Sequence, residues 1–425
     1  MRKRVWIPLV VLAVAAIGFF GAAPGYLEAS MNKIDGKPPI PVSAAAIALH
    51  KTLQIVDLHS DPLMWQRSLL GTAPRGHEDL ARLQAGNVAL QVFSSVTKTP
   101  RGQNYDGNSG DTDNITPLVI AQLQPLRTWG SLLEWSLWHA TKLDRAVAAS
   151  ANGLWKISSP DELDNLLQAR STELGIRRDK DAPPSDAAFV RPVGAMLSIE
   201  GLQDLEGKAE NLDKLYAAGF RMASMAHFFD NQLAGSMHGI KKGGLTPLGR
   251  QVMAAMEDKG MIVDIAHCSH ACVADILAAA RRPVVSSHGG VQATCKVNRN
   301  LTDDEIRGVA RTGGVIGIGY WEGAVCDTDP RAVAKAMKHV KDLVGVQTIA
   351  LGSDFDGATT VRFDTSQLVQ VTQALMDAGF TPDEIRAVMG GNALRVIGAG
   401  ILPLGGGGPA QLVEGHGRVI PTSPR

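Results

Sequence analysis

The chain has 425 residues with 42 basic and 42 acidic side chains, so its formal net charge is zero. A neutral chain lacks the basic surface typical of nucleic-acid-binding proteins, and no nucleic-acid partner is expected. Hydrophobic residues make up 45% and charged residues 20% of the sequence, which excludes disorder by composition, and four cysteines are too few for a disulfide-built scaffold.

The first 27 residues are typical of a signal or anchor segment. Arg2, Lys3 and Arg4 precede a run from Val5 to Leu27 that carries no charged side chain. Because basic residues before an apolar run direct the following chain across a membrane, we expect the main domain outside the cytoplasm. The length of the run favours an uncleaved membrane anchor, and the small residues Gly21-Ala22-Ala23 leave a cleaved signal peptide, with a secreted or periplasmic protein, as the alternative.

The remaining sequence divides into a linker, one large domain and a tail. Residues 28–50 contain the stretch Pro38-Pro39-Ile40-Pro41 and are predicted to be a linker. Residues 51–402 are predicted to form the main domain. Residues 403–425 are rich in Gly and Pro and are predicted to be a loose tail.

Eight short apolar runs alternate with helix-like stretches through the main domain. Continuous apolar runs bounded by Gly or Pro are typical of parallel strands that are buried on both faces. Eight such βα units predict an α/β fold of the (β/α)8 TIM-like barrel type. The runs are Ile55–His59, Val88–Phe93, Val193–Ile199, Met222–Ala226, Met261–Ala266, Pro283–Ser287, Gly314–Tyr320 and Thr348–Gly352.

Helices are predicted between these runs, and one connection is too long for a plain βα loop. Thr302 and Glu305 have the spacing of a capping box at the start of one helix. The long connection follows the second run, and we expect a helical insertion there that packs over the barrel or forms a lid. The predicted helices are Leu248–Lys259, Ala271–Ala280, Thr302–Arg311 and Arg331–Val344; the insertion extends from about Ser94 to Arg191 and contains Trp129, Trp135, Trp138 and Trp155, for which we expect ordinary packing.

Side chains that bind metals or transfer protons stand at the ends of these runs. In a barrel, all such ends open onto the carboxyl-terminal face, where barrel enzymes place their active sites. Each residue alone could be a structural histidine or a turn carboxylate, but their joint position predicts one functional site. The residues are His59, Asp61, Glu200, His227, His267, His288 and Asp354.

The spacing of these residues predicts two metal ions. His59 and Asp61 are two apart along a strand, so they project to the same side and could hold one ion. His267 and His288 come from adjacent strands and could hold a second ion, with Glu200 as a bridge. Nitrogen and oxygen ligands without cysteine favour Zn²⁺, with Mn²⁺ or Co²⁺ as weaker candidates, and two such ions would supply a bridging hydroxide at neutral pH.

The chain resembles the membrane (renal) dipeptidases, which are binuclear zinc peptidases with a barrel fold. The resemblance covers roughly residues 50–400, and its strength lies in the number of motifs that follow one another in order. The motifs are Asp57-Leu58-His59-Ser60-Asp61, Ile199-Glu200-Gly201, Met225-Ala226-His227-Phe228-Phe229-Asp230-Asn231, Gly244-Leu245-Thr246-Pro247-Leu248-Gly249, Val263-Asp264-Ile265-Ala266-His267, Ser287-His288-Gly289-Gly290, Arg299-Asn300, Gly352-Ser353-Asp354-Phe355-Asp356-Gly357 and Gly391-Asn392-Ala393-Leu394-Arg395.

The resemblance implies a zinc-dependent dipeptidase with the same two ligand pairs and the same bridging glutamate. It implies that His227 contacts the carbonyl oxygen of the substrate and the tetrahedral intermediate, and that Arg299 binds the terminal carboxylate of the substrate. It also implies that Asp354 lies near the bridging water and the leaving amine and transfers the proton between them. Asp356 is interpreted as structural. Some relatives have a disulfide at the positions of Cys295 and Cys326.

The resemblance to the membrane dipeptidases assigns no role to some residues of this chain. In the loop Tyr320-Trp321-Glu322-Gly323-Ala324, where the family often places side chains near the substrate, no contact can be assigned. Cys268 and Cys272 follow His267 and could form a thiolate metal site, but we interpret them as buried small residues.

Two other functions are compatible with the sequence. One is another metal-dependent barrel amidohydrolase or lactonase, although many of those carry His-x-His after the first strand, where this chain has His59-Ser60-Asp61. The other is a membrane-tethered binding protein that has lost catalysis, which the intact set of ligand-type residues argues against. The partners considered are a dipeptide substrate, a membrane if the N-terminal segment is uncleaved, and a second copy of the chain in a homodimer.

Overall fold

The computed structural model describes residues 3–176 and 191–404. Part of the predicted insertion, residues 177–190, lies outside the described residues, as do the first two residues and positions 405–425 of the predicted tail.

Eight parallel strands close into a barrel, which confirms the predicted fold. The strands of the described residues are β1 Lys33–Ile34, β2 Ile55–Ser60, β3 Val88–Val96, β4 Leu154–Lys156, β5 Val193–Glu200, β6 Phe220–Ser224, β7 Ile262–Asp264, β8 Val285–Gly289, β9 Val315–Ile318, β10 Ile349–Leu351 and β11 Thr360–Val361. Each of the eight predicted runs forms one strand of the barrel, in the order β3-β2-β10-β9-β8-β7-β6-β5, and β5 pairs with β3 to complete the ring.

Helices surround the barrel and bury their apolar faces against its strands. The four predicted helices are present as α9, α10, α11 and α13, and α11 begins with the capping box of Thr302 and Glu305. The α-helices are α1 Lys3–Ile17, α2 Ala23–Met31, α3 Ala44–His50, α4 Leu80–Ala85, α5 Ile115–Ala121, α6 Leu132–Ala149, α7 Pro160–Ile176, α8 Asn211–Ala217, α9 Pro247–Lys259, α10 His270–Ala279, α11 Asp303–Arg311, α12 Glu322–Val325, α13 Pro330–Val344, α14 Val369–Asp377, α15 Pro382–Arg386 and α16 Asn392–Gly400.

The insertion after β3 packs on the barrel as part of the same fold. It contributes α5, α6, α7 and the short edge strand β4, which pairs in parallel with β5. Trp135 is fully buried and packs with Trp65, and its indole nitrogen donates to the backbone carbonyl of Val96 at 3.0 Å. These contacts are those of ordinary packing, as expected for the tryptophans of this segment.

The N-terminal helices α1 and α2 are joined by a π-helical turn at Gly18–Ala22. Residues Trp6–Met31 form a helix that is long and apolar enough to cross a membrane. Trp6, Ile7 and Leu12 expose more than half of their surface. An exposed apolar helix of this length suits a lipid environment better than water.

The predicted linker, residues 28–50, packs against the barrel in this structure. Strand β1 pairs in parallel with β11, and the backbone nitrogen of Ile40 donates to Gln370 Oε1 at 3.0 Å. At the end of α3, the ring of His50 is buried, with Nδ1 at 2.8 Å from Thr372 Oγ1 and Nε2 at 3.1 Å from the carbonyl oxygen of Gly86. The segment is therefore held by specific polar contacts.

We expect His50 to make the fold sensitive to acid. Burial lowers the pKa of His50 from 6.5 to about 4, against the opposing hydrogen bond to Gly86. Because the unfolded chain takes up a proton on this ring at a higher pH than the folded chain, stability falls as the pH drops from 6.5 towards 4, by up to about 3 kcal/mol. Below pH 4 both states carry the proton and the loss levels off.

Chemical denaturation of a His50→Gln variant between pH 7 and 4 tests this expectation. The free energy of unfolding of the variant should depend less on pH than that of the wild type across this window. A His339→Gln variant is the control, since the ring of His339 is only partly buried, with Nε2 at 2.7 Å from Asp303 Oδ1. An equal pH dependence in the His50→Gln variant and the wild type would contradict the assignment.

Candidate metal centre

The predicted functional side chains meet at the carboxyl-terminal mouth of the barrel. His59 lies near the end of β2, Glu200 ends β5 and His288 lies near the end of β8. His227 and His267 follow β6 and β7, so the four consecutive strands β5 to β8 and the more distant strand β2 contribute one side chain each. Because parallel strands of a barrel all end on the same face, residues that are far apart in the sequence converge there.

The carboxylate of Glu200 is the common centre of the cluster. Its Oε1 atom lies 3.0 Å from Nε2 of His267, 3.2 Å from Nε2 of His288 and 3.6 Å from Nε2 of His59. Its Oε2 atom lies 3.3 Å from Nε2 of His227. Four imidazole nitrogens therefore point at one carboxylate.

Two further carboxylates complete the cluster on the side of His59. Asp61 Oδ2 lies 3.3 Å and Asp354 Oδ1 lies 3.9 Å from Nε2 of His59. The two facing nitrogens Nε2 of His267 and His288 are only 2.9 Å apart. Such a set of buried nitrogen and oxygen donors within reach of one another is the chemistry of a divalent cation site.

Atoms that have no hydrogen-bond partner fit the same interpretation. Among the described residues, Nε2 of His59 and Oδ1 of Asp61 are buried and make no hydrogen bond. Burying such atoms without partners is costly, and a bound cation would satisfy both. Three sets of three side chains have ligand atoms close enough together to hold an ion. The first set is His59, Asp61 and Glu200; the second is Glu200, His227 and His267; the third is His59, His288 and Asp354.

A second layer of polar residues holds the ligand-type side chains in position. Asp57 Oδ1 accepts hydrogen bonds from the backbone nitrogens of His59 at 3.1 Å and Ser353 at 3.0 Å. Asp264 Oδ1 accepts from the backbone nitrogens of Ala266 and Ser287, each at 2.9 Å. These bonds join the ends of neighbouring strands, and partners of this kind orient metal ligands.

The backbone is strained at two of the functional residues. His267 has a φ of 62° and Asp354 a φ of 58°, both in the left-handed region that side chains other than Gly rarely adopt. The ring of His288 is instead oriented by a side-chain contact, since its Nδ1 atom lies 2.9 Å from Ser287 Oγ. Strain that persists at positions aimed into a site indicates that the surrounding structure imposes the orientation.

Burial favours the neutral form of three of the four imidazoles of the centre. It lowers the pKa of His227 below the ordinary value of 6.5, and it lowers the pKa of His267 and of His288 well below that value. Burial acts in the same direction on His59, but the carboxylates of Asp61 and Glu200 outweigh it and raise the pKa of His59 to about 10. A neutral imidazole is the form that binds a metal ion.

The pKa values of two carboxylates of the centre, Glu200 and Asp354, are shifted in opposite directions. Burial opposes ionisation of Glu200, but His227 and His59 hold its pKa well below 4.5. Burial raises the pKa of Asp354 well above 3.8, and the negative charges of Asp61 and Glu200 add to this effect. The cluster therefore contains one carboxylate that stays ionised and another that readily holds a proton.

Arg299 lies beside the ligand-type side chains in the wall of a cavity of about 950 Å³. Its Nη2 atom lies 3.5 Å from Nε2 of His267, and its guanidinium carbon lies 4.7 Å from the ring centroid of Trp321. Its Nε atom is buried and has no hydrogen-bond partner among the described residues. A planar guanidinium with free donors suits a carboxylate ligand.

The structure thus brings together every residue predicted for the site, and it adds several that the sequence analysis did not single out. Asp57 and Asp264 could have been recognised as acidic residues inside apolar strand runs. Trp321, for which no contact could be assigned from the sequence, packs on Arg299, and its indole nitrogen lies 3.4 Å from the hydroxyl of Tyr105. That contact crosses from the insertion to the barrel, so no local pattern could reveal it.

The cysteines have the arrangement that the resemblance implied. Cys295 and Cys326 form a disulfide, which joins the loop after β8 to the loop after β9 and so links the segments that carry Arg299 and Trp321. Cys268 and Cys272 are buried and free, as expected for small core residues. Asp356 accepts a hydrogen bond from the backbone nitrogen of His77 at 2.7 Å, in agreement with a structural role.

Solved structures of other proteins share this fold. The probable dipeptidase PvdM from Pseudomonas aeruginosa is 19% identical, with a TM-score of 0.66 over 84% of this chain and 97% of that chain. A metallo peptidase from Rhodobacter sphaeroides, liganded with a phosphinate mimic of the dipeptide L-Ala-D-Ala, is 18% identical, with a TM-score of 0.65 over 82% of this chain and 99% of that chain. At these identities the likeness shows the fold alone.

Sequence comparison shows the family. The chain is 34% identical to dipeptidase aclJ of Aspergillus oryzae over 216 residues, which are 48% of this chain and 51% of the relative, so it spans about half the length of that curated protein. The model of the family described as membrane dipeptidase, peptidase family M19, matches residues 43–400. Because that match extends over most of the chain, the protein belongs to the membrane dipeptidase family.

Proposed function

We propose that the protein is a metal-dependent dipeptidase that hydrolyses the peptide bond of dipeptides. The observation that supports this proposal is the convergence of four imidazoles and two further carboxylates around Glu200, next to the guanidinium of Arg299, whose Nε atom has no partner among the described residues, in one cavity. The chain also belongs to a family described as membrane dipeptidases.

The donor set fits two Zn²⁺ ions. His59 and Asp61 would hold one ion, His267 and His288 the other, and Glu200 would bridge the two. When bound, the ions would lower the pKa of a shared water and supply hydroxide as the nucleophile at neutral pH. Nitrogen and oxygen donors without a thiolate are compatible with zinc.

The chain's own residues would bind and orient the dipeptide. Arg299 would pair with the terminal carboxylate of the substrate. His227 would donate a hydrogen bond to the carbonyl oxygen of the scissile bond as negative charge develops there. Asp354 would accept a proton from the nucleophilic water and return it to the leaving amine. Recognition of the terminal carboxylate next to the scissile bond would restrict the substrate to dipeptides, since a longer chain would place a peptide group where a charge is expected.

We place the catalytic domain, residues 51–402, outside the cytoplasm. The disulfide between Cys295 and Cys326 supports this location, because disulfides persist in oxidising compartments. The exposed apolar part of the helix Trp6–Met31 that precedes Phe19 would then anchor the chain in the membrane.

A substrate panel with and without chelator tests the proposed function. Metal-loaded protein should hydrolyse L,L- or L,D-dipeptides, lose this activity with a chelator and regain it when Zn²⁺ is added. Protein that turns over lactones or cyclic amides in place of dipeptides would belong to the alternative class of barrel hydrolases. Purified protein that binds no metal would support a binding protein without catalysis.

The bridging role of Glu200 can be tested with a Glu200→Gln variant. We expect dipeptidase activity to fall more than about 100-fold, because loss of partners that only orient the ligands already costs 10- to 100-fold in metal affinity or activity. Metal content and kcat should be measured together. Glu257→Gln is the control, since Glu257 is buried on α9 and pairs with Arg281. Near-full activity of Glu200→Gln with both metals bound would contradict the role.

The role of Arg299 can be tested with an Arg299→Met variant and two substrates. We expect kcat/KM for a free dipeptide to fall roughly 10- to 100-fold, because hydrogen bonds to a charged group contribute about 1.5–3 kcal/mol. The C-terminal amide of the same dipeptide lacks the carboxylate, so its slower hydrolysis should not change further. Lys296→Met removes an exposed charge from the same loop and should leave both rates unchanged. Equal losses on acid and amide would contradict carboxylate recognition.

A further inference from the structure

The cavity above the metal centre is bounded on one side by residues that do not belong to the barrel. Phe19, Ala23, Leu27 and Met31 line it, together with the metal-centre residues Glu200 and His267. Residues four apart lie on the same face of a helix, so one face of the N-terminal helical segment is turned towards the cavity. Leu27 and Met31 leave 40% and 42% of their surface uncovered.

A buried ion pair determines where this helical segment lies. The carboxylate of Glu28 on α2 is almost fully buried between two guanidinium groups, with Oε1 at 2.5 Å from Arg67 Nε and Oε2 at 2.6 Å from Arg75 Nε. Both arginines belong to the loop between β2 and α4, next to the predicted ligands of the first metal ion. A buried carboxylate is tolerated only while its partners stay in place, so Glu28 defines the position of α2 on the barrel.

The same ion pair extends to the loop that carries Asp354. Arg67 also binds the carboxylate of Asp356, two residues after Asp354. Asn32, directly after α2, accepts a hydrogen bond at its Oδ1 atom from the backbone nitrogen of Ala358 at 2.8 Å. Strand β1 then pairs with β11 at the end of this loop. The N-terminal segment is therefore built into the structure around the site.

Other walls of the cavity are also apolar. Met64 and Trp65 follow β2, and Ile115 and Leu118 lie on α5 of the insertion. The volume of about 950 Å³ is at the upper end of the range of about 300–1,000 Å³ for small-molecule sites. A dipeptide of two small residues would leave much of this apolar surface in contact with water.

We propose that residues 19–31 are a permanent wall of the substrate cavity, held by Glu28, and that this wall makes the enzyme select dipeptides with a bulky apolar side chain. The proposal rests on the proposed dipeptidase function and adds the substrate class and the residues that select it. A bulky side chain would cover Leu27 and Met31 and remove apolar surface of both partners from water. It follows that the N-terminal segment remains part of the working enzyme.

The experiment compares Ala-Ala with Phe-Ala and Ala-Phe as substrates of the full-length, metal-loaded protein. In a Leu27→Ser/Met31→Ser variant, the ratio of kcat/KM for the better Phe-containing dipeptide to that for Ala-Ala should fall roughly tenfold. Glu28→Gln should lower the same ratio, because it weakens the attachment of α2. Tyr26→Ser is the matched control on the same helix, since Tyr26 is 74% exposed and does not line the cavity.

The outcomes separate this proposal from the proposed function. A wild-type protein that hydrolyses no dipeptide contradicts the dipeptidase function and, with it, the substrate class. If the wild-type protein is active and the ratio is unchanged in the Leu27→Ser/Met31→Ser variant, the proposed role of residues 19–31 is overturned and the dipeptidase function stands. N-terminal sequencing of the protein from membranes is an independent readout. A mature chain that retains residues 19–31 supports the proposal, and one that begins anywhere after Phe19, as cleavage at Gly21-Ala22-Ala23 would produce, overturns it.

Discussion

One buried carboxylate organises the whole mouth of this barrel. Glu200 receives the ring nitrogens of four histidines that come from four different strands, each within 3.6 Å of one of its oxygens. So many buried nitrogen and oxygen ligand atoms can lie within hydrogen-bond distance of one another only if positive charge is present among them, whether as protons on imidazole or as metal ions. This requirement links the electrostatics of the centre to its proposed chemistry.

The barrel meets this requirement by combining rigid strands with a few strained residues. Strand ends bring His59, Glu200 and His288 to one rim, while Asp57 and Asp264 bond to the backbone of neighbouring strand ends and keep that rim in register. Chain segments that are far apart in sequence are fixed to the same rim by the Cys295–Cys326 disulfide. Preorganisation of this kind lets a site hold its donors in place before any ligand arrives.

The N-terminal segment is connected to the same centre by a series of ion pairs. The ionic contacts lead from Glu28 to Arg67 and from Arg67 to Asp356, and Asp356 lies two residues from Asp354. A helix that composition alone marks as a membrane segment is thereby also part of the cavity wall. The exposed apolar surface of α1 and the surface that would face substrate are then two parts of one helical segment.

The sequence by itself determined the eight strands, four of the helices between them and the set of ligand-type residues, because apolar runs and the residues that end them are local properties of the chain. Because all parallel strands of a closed barrel end at the same rim, the convergence of His59, Glu200 and His288 could be predicted as well. Tertiary structure alone decided the contact of Trp321 with Arg299, the pairing of residues 33–34 with 360–361 and the burial of Glu28. Each of these depends on how distant segments pack together, and a charged or aromatic side chain carries no local mark of the partner it will meet.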